Sequence, residues 1–254
     1  MIRFASLGSG SKGNATLIES GRTRLLVDCG FYLRETEERL GRLGVEPASL
    51  NAILVTHEHN DHLGGVARLS RKHGIPVWMT DGTCAAWDDP YVPELHRFSP
   101  HQGFSIGDLA VQPFPVPHDA REPCHYVFAA GGLRVGVISD AGCVTPHMRE
   151  CLSACDGLML EFNHDLHMLL TGPYSPSLKD RVGGGLGHLS NAQSADLLRR
   201  IDCTRLQHLV LTHLSEQNNT PALARAAACE ALGRDEMWMV CADQSEGLAW
   251  REVV

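Results

Sequence analysis

Apolar positions come in short runs that alternate with stretches of helical spacing. Residues 2–7, 15–19 and 24–28 read as strands joined by glycine turns. Residues 33–43 read as a helix, with Leu33, Leu40 and Leu43 near helical spacing. A strand over 53–56, a helix over 62–73, a strand over 75–79 and a short helix over 82–87 follow. The middle is strand-rich: 110–116, 125–130 and 133–139, the last two joined by a tight turn at "GGL". Next come a helix over 146–154 and a strand over 157–162. Residues 171–187, rich in Gly and Pro, read as a mobile loop. A helix over 191–201 has Ser190 as its N-cap, followed by a strand over 206–212 and a helix over 221–232. Strands over 237–241 and 248–251 close the pattern. This order predicts one α/β domain over residues 1–254, with two sheets in the middle and helices outside.

Composition narrows the class. An apolar fraction of 43% and a charged fraction of 20% are ordinary globular values. The nine cysteines are odd in number, scattered and form no C-x-x-C pair, so reduced thiols in a cytoplasmic protein are expected. No basic start followed by an apolar core suggests a signal peptide, and no apolar run is long enough to suggest a membrane span. A net charge of -8 argues against a broad basic surface for non-specific nucleic-acid binding. It leaves room for a local site whose positive charge comes from bound metal.

One stretch carries most of the chemistry. "LVTHEHNDHLGG", residues 54–65, places His57, His59, Asp61 and His62 just past an apolar strand. Imidazole and carboxylate are ordinary ligands for zinc, manganese and iron. Alternate positions of an extended segment can converge, and His62 adds a fourth ligand at the predicted helix start. Four ligands exceed what one tetrahedral ion takes from a single loop, so two adjacent ions explain the crowding better. A polar turn with incidental histidines is the bland alternative.

The H-x-H-x-D-H spacing resembles the metallo-β-lactamase superfamily, and three later segments fit its pattern: His118 in "FPVPHDA", Asp140 in "GVISDAG" and His213 in "LVLTHLS". The resemblance implies a four-layer αββα sandwich. It implies that His57, His59 and His118 hold one divalent ion, that Asp61, His62 and His213 hold another, and that Asp140 bridges them. Taken singly, His118 also fits a surface loop, Asp140 a turn cap and His213 a strand end.

Within that superfamily, "LGSGSKGNATLIE", "LEFNHD" and "GHLSN" resemble the compact YycJ/WalJ branch, related to RNase J and tRNase Z. No room exists between Asp140 and His213 for the extra domain of RNase J-type enzymes. The branch implies a 5′-to-3′ exonuclease acting on DNA through a metal-bridging hydroxide. By the same resemblance Asp61 would take part in proton uptake, and Glu161 would orient His188 to protonate the leaving oxygen. The "GSGSKG" segment is not a phosphate-binding P-loop, because Lys12 precedes Gly13 and a strand-like pattern follows. Ser9, Lys12, Asn14, Asn163 and His164 are the residues expected to meet the substrate. A plain glycine hairpin and an Asx turn account for the same segments. Lys179 and Arg181 fit either a basic lid or a surface loop. A small-molecule hydrolase of the same fold, such as a cyclic phosphodiesterase or a glyoxalase II-like thioesterase, is the competing function. A catalytically inert metal scaffold is a third.

Overall fold

Continuous apolar runs, rather than alternating ones, mark strands covered on both faces. The computed structural model, which describes residues 1–235 and 238–254, supplies the covers. The first sheet has the order β14 (Leu248–Val253), β1 (Ile2–Gly8), β2 (Ala15–Ser20), β3 (Thr23–Val27), β4 (Ala52–Leu54), β5 (Val77–Thr80), β6 (Leu95–Phe98). The second has the order β13 (Val240–Cys241), β12 (His208–Thr212), β11 (Gly157–Glu161), β10 (Leu133–Ile138), β9 (Cys124–Ala130), β8 (Leu109–Pro115), β7 (Phe104–Ile106). The helices are α1 (Leu33–Arg42), α2 (Asn60–Leu63), α3 (Val66–His73), α4 (Asp81–Ala86), α5 (Pro146–Leu152), α6 (Leu166–Thr171), α7 (Pro176–Gly183), α8 (Asn191–Arg200) and α9 (Pro221–Leu232).

Three apolar layers hold these elements together. Between the sheets, Phe4, Leu25 and Leu54 meet Tyr126, Phe128 and Val210. Outside the first sheet, Leu17 and Leu26 pack with Leu40 of α1 and Leu69 of α3. Outside the second, Phe114, Leu158 and Leu160 pack with Leu152, Leu197 and Ala224. Each fully buried side chain of this kind contributes roughly 1.5–3 kcal/mol. Three cores stacked in this way make the four-layer αββα sandwich that the sequence predicts.

The inner strands position the site. β3–β4–β5–β6 are parallel, as are β10–β11–β12–β13. Their carboxyl ends, where open α/β sheets bind ligands, carry Asp28, the 55–62 segment, Asp140, the residues after Glu161, and His213.

Several expectations need correction. The helix expected over 62–73 is two pieces, because the Gly65 N–H leaves the helical ladder to donate to the Cys29 carbonyl at 2.7 Å. Strands β6 and β7 have too few apolar positions to announce themselves. The segment 171–187 is not a loop: it contains α7, N-capped by Ser175, with Pro176 in its first turn. Gly187 serves close approach, since a side chain there would overlap the carbonyls of Arg181 and Val182. Of the strand expected over 237–241, Met237 lies outside the described residues and Val240–Cys241 is strand. No helix among the described residues is long and apolar enough to cross a membrane.

Candidate metal centre

The His57–His62 segment leaves β4 and is tied down by backbone hydrogen bonds to neighbouring loops. Asn14 N–H donates to the Asp61 carbonyl at 2.8 Å, and Cys29 N–H to the His62 carbonyl at 2.7 Å. Only glycine fits at residue 30, where a Cβ would overlap the Asp61 carbonyl. The remaining members arrive from the second sheet: His118 after β8, Asp140 after β10 and His213 after β12. Asp28, Asp140 and His213 all have positive φ, at 62°, 41° and 53°. This sparsely populated conformation for non-glycine residues turns each side chain sharply out of its strand.

All seven side chains expected to ligate metal come together. The ligand atoms of His57, His59 and His118 lie within 4.8 Å of one another, as do those of His57, His62 and Asp140, and those of Asp61, His62 and His213. His62 Nε2 is 3.0 Å and His213 Nδ1 is 3.1 Å from Asp140 Oδ2. Asp140 therefore stands between the two histidine groups.

The ring nitrogens turned away from this centre are held. Thr56 Oγ1 donates to Asp28 Oδ2 at 2.9 Å, so it accepts from His57 Nδ1 at 2.9 Å. His62 Nδ1 donates to Asp28 Oδ2 at 2.8 Å, and His118 Nδ1 to the Gly187 carbonyl at 3.0 Å. In each ring Nε2 is left as a lone pair facing inward, the arrangement that metal-ligating histidines show.

A divalent cation fits this donor set. His57 Nε2 is buried without a hydrogen-bond partner, and Asp140 Oδ2 and His213 Nδ1, likewise buried, face each other at 3.1 Å as an ion pair. A buried polar atom without a partner is costly. Burial disfavours charge on His213, yet the Asp140 carboxylate outweighs it and lifts the ring to about 10. Burial likewise opposes ionisation of Asp140, but His213 and His62 hold its carboxyl well below the usual range. The negative field that draws protons onto these rings also draws a cation.

Beside the cluster, Glu161 is fully buried at the end of β11. Its Oε1 accepts from His188 Nδ1 at 2.9 Å, and its Oε2 accepts from the N–H of Leu189 at 3.0 Å and of Ala141 at 3.1 Å. Burial alone raises a carboxyl, but the His188 charge and hydrogen bond overcome it and bring Glu161 to about 2. His188 is raised, because the adjacent Glu161 outweighs the effect of its burial. Ligand atoms of Glu161 and His188 also lie within 4.8 Å of those of Asp140 and His213, close enough to join the ligand set.

The residues expected to meet the substrate are mostly buried. Ser9, Asn14, Asn163 and His164 are buried supports. Ser9 Oγ accepts from His213 N–H at 2.8 Å, and Asn163 Nδ2 donates to the His213 carbonyl at 3.0 Å. Asn14 Nδ2 lies 3.1 Å from His62 Nε2, and His164 Nδ1 is 3.3 Å from Asn163 Oδ1. Lys12 points away and pairs with Glu216 at 2.7 Å. A cleft of about 400 Å³ opens over the cluster, and its lining includes Ser11, Asn60, Asp119, Tyr174, Leu178 and Arg181. Sequence reasoning gave Asp28, Thr56, Asp119 and Tyr174 no role. For Asp28 a signal existed, an acid closing an apolar run as Asp140 does.

Comparison with known proteins agrees with this architecture. Residues 23–214 match the beta-lactamase superfamily domain family. The chain is 33% identical over 242 residues to the exodeoxyribonuclease WalJ of Streptococcus pneumoniae, covering 93% of this chain and 90% of that protein. It is 33% identical over 235 residues to the exodeoxyribonuclease YycJ of Bacillus anthracis, covering 91% and 89%. The metallo-beta-lactamase fold protein YhfI of Bacillus subtilis superposes with a TM-score of 0.77 over 99% of both chains, at 18% identity. With a family match over most of its length and relatives of this closeness, the chain belongs to the metallo-β-lactamase superfamily of metal-dependent hydrolases.

Proposed function

We propose that this single-domain, cytoplasmic enzyme is a dinuclear metal-dependent phosphodiesterase that digests DNA from the 5′ end. The observation that carries the reading is the joining of a seven-residue cluster to a cleft-lining His188 that is held by the buried Glu161. The exodeoxyribonuclease relatives, similar over nearly their full length, support DNA as the substrate.

His57, His59 and His118 would hold one ion and Asp61, His62 and His213 the other, with Asp140 between the two groups available to either. Zinc, manganese and iron all suit such ligands. Divalent cations bound there activate water and neutralise charge developing on the phosphoryl oxygens. The chain's own groups handle the protons. Asp61, at the cleft edge, takes up a proton from the attacking water. His188 binds Glu161 through Nδ1, which leaves Nε2 to protonate the departing oxygen. The buried Glu161 keeps that imidazole charged and fixes its direction.

The test is turnover of end-labelled duplex DNA with added manganese, comparing 5′ and 3′ labels. Early release of the 5′ nucleotide is expected. Intact DNA together with brisk hydrolysis of a thioester or lactone would reject the substrate class and move the chain to the small-molecule branch of the fold.

A further inference from the structure

The cleft is lined mainly by histidines, acids and neutral groups, and Arg181 is its one arginine or lysine among the described residues. Arg181 sits on α7, and α7 is fixed rather than loose. His188 N–H donates to the Val182 carbonyl at 2.9 Å, Asp119 N–H to the Leu186 carbonyl at 3.0 Å, and His118 Nδ1 to the Gly187 carbonyl. The turn that ends α7 is thus bonded to a ligand of the centre and to the neighbour of that ligand.

The guanidinium is held at one corner. Arg181 Nε donates to Asp119 Oδ2 at 2.6 Å. Asp119 Oδ1 in turn lies 3.4 Å from His118 Nε2. Among the described residues the two terminal amino groups of Arg181 have no hydrogen-bond partner. A guanidinium offers five donors in a rigid fork that matches two oxygens of a phosphate. Arg181 lines the cleft, and with Nε held by Asp119 its two terminal amino groups remain for a ligand. Tyr174, half-buried just before α7, lines the same space.

We infer that Arg181 is a substrate-binding residue that grips a backbone phosphate of the strand entering the centre, with Asp119 as its positioning residue and Tyr174 as the platform for a base. This rests on the phosphodiesterase reading above and assigns the strand's path across α7. The mobile lid becomes a rigid wall, and the positive charge that the acidic chain lacks globally is supplied at one point.

The experiment measures binding of the metal-loaded enzyme to a fluorescent single-stranded oligodeoxynucleotide with phosphorothioate linkages, by anisotropy across a salt series. Arg181→Gln is expected to weaken binding about tenfold and to lower the salt slope by about 0.7, the loss of one phosphate contact on a single strand. Arg181→Lys keeps the charge without the fork and is expected to retain the slope with intermediate affinity. Tyr174→Ala is expected to weaken binding by about tenfold with the slope unchanged, as loss of stacking does. Thermal unfolding of each variant separates a folding defect from a binding one. If the parent protein binds and Arg181→Gln matches it in affinity and slope, the assignment is overturned while the nuclease reading stands. If the parent protein binds no oligonucleotide at any salt, the nucleic-acid reading falls and takes this assignment with it.

Discussion

Replacing Asp28 by Asn probes how a buried side chain that lies outside the ligand set controls the centre. Asp28 accepts three hydrogen bonds: Thr56 N–H at 2.8 Å on Oδ1, and Thr56 Oγ1 at 2.9 Å and His62 Nδ1 at 2.8 Å on Oδ2. An amide keeps only one oxygen. Placed on the Oδ1 side, its NH₂ faces the Thr56 N–H, donor against donor. Placed on the Oδ2 side, it can donate to Thr56 but leaves His62 Nδ1–H without an acceptor. His62 then favours the tautomer with its proton on Nε2, which removes the lone pair aimed at the centre. Partners that fix a ligating histidine typically govern 10–100-fold in metal affinity or activity, which is about 1.4–2.8 kcal/mol. Competition against a chromogenic zinc chelator measures the two stepwise affinities. The expected outcome for Asp28→Asn is a loss of 10–100-fold in at least one step, with secondary structure retained by circular dichroism. Both steps within twofold of the parent protein would refute the tautomer argument.

Other expectations are as direct. Glu161→Gln removes the charge that holds His188, so turnover of DNA should fall by at least about 10²-fold with two ions still bound by elemental analysis; loss of an ion instead would make Glu161 a ligand, as its position also allows. Gly30→Ala forces a methyl into the Asp61 carbonyl, a strain of roughly 1–3 kcal/mol or more. The melting temperature should drop by several degrees, and an unchanged one contradicts the close approach. Lys12→Ala breaks an ion pair whose side chains are 69% and 57% exposed. Such pairs are worth about 0–1 kcal/mol, so neither melting temperature nor oligonucleotide affinity should change appreciably, contrary to the role expected from sequence.

What the sequence disclosed depended on how much chemistry was packed into few positions. His57, His59, Asp61 and His62 crowd one loop after a buried strand, and a run of ligands there has few other uses. His118, Asp140 and His213 were legible because each closes an apolar run and because the family pattern demands them. Glu161 and His188 followed from short segments that match the same branch. Asp28 carries the same strand-end signature as Asp140, but one carboxylate after a strand also describes any turn. Ser9, Asn14, Asn163 and His164 were placed in the right neighbourhood, and their burial makes them supports of the centre's loops. Polarity near a site does not say whether a group faces solvent or props a loop from behind, and here burial decides. The α7 wall was hidden by its composition: glycines needed for tight passage next to other backbone look the same in sequence as glycines in a slack loop.

The left-handed corners at Asp28, Asp140 and His213 act as a sieve on the side chains those positions can hold. Among residues with a Cβ, Asp, Asn and His enter that region most readily, while Val, Ile and Thr are turned away by their own branching. The shape of the chain thus admits much the same few residues that metal chemistry would choose. Asparagine would keep each corner and forfeit charge, and glycine would relax the corner and forfeit the donor. Backbone shape therefore screens all three sites, while cation capture screens Asp140 and His213 directly and Asp28 only through the His62 ring it holds.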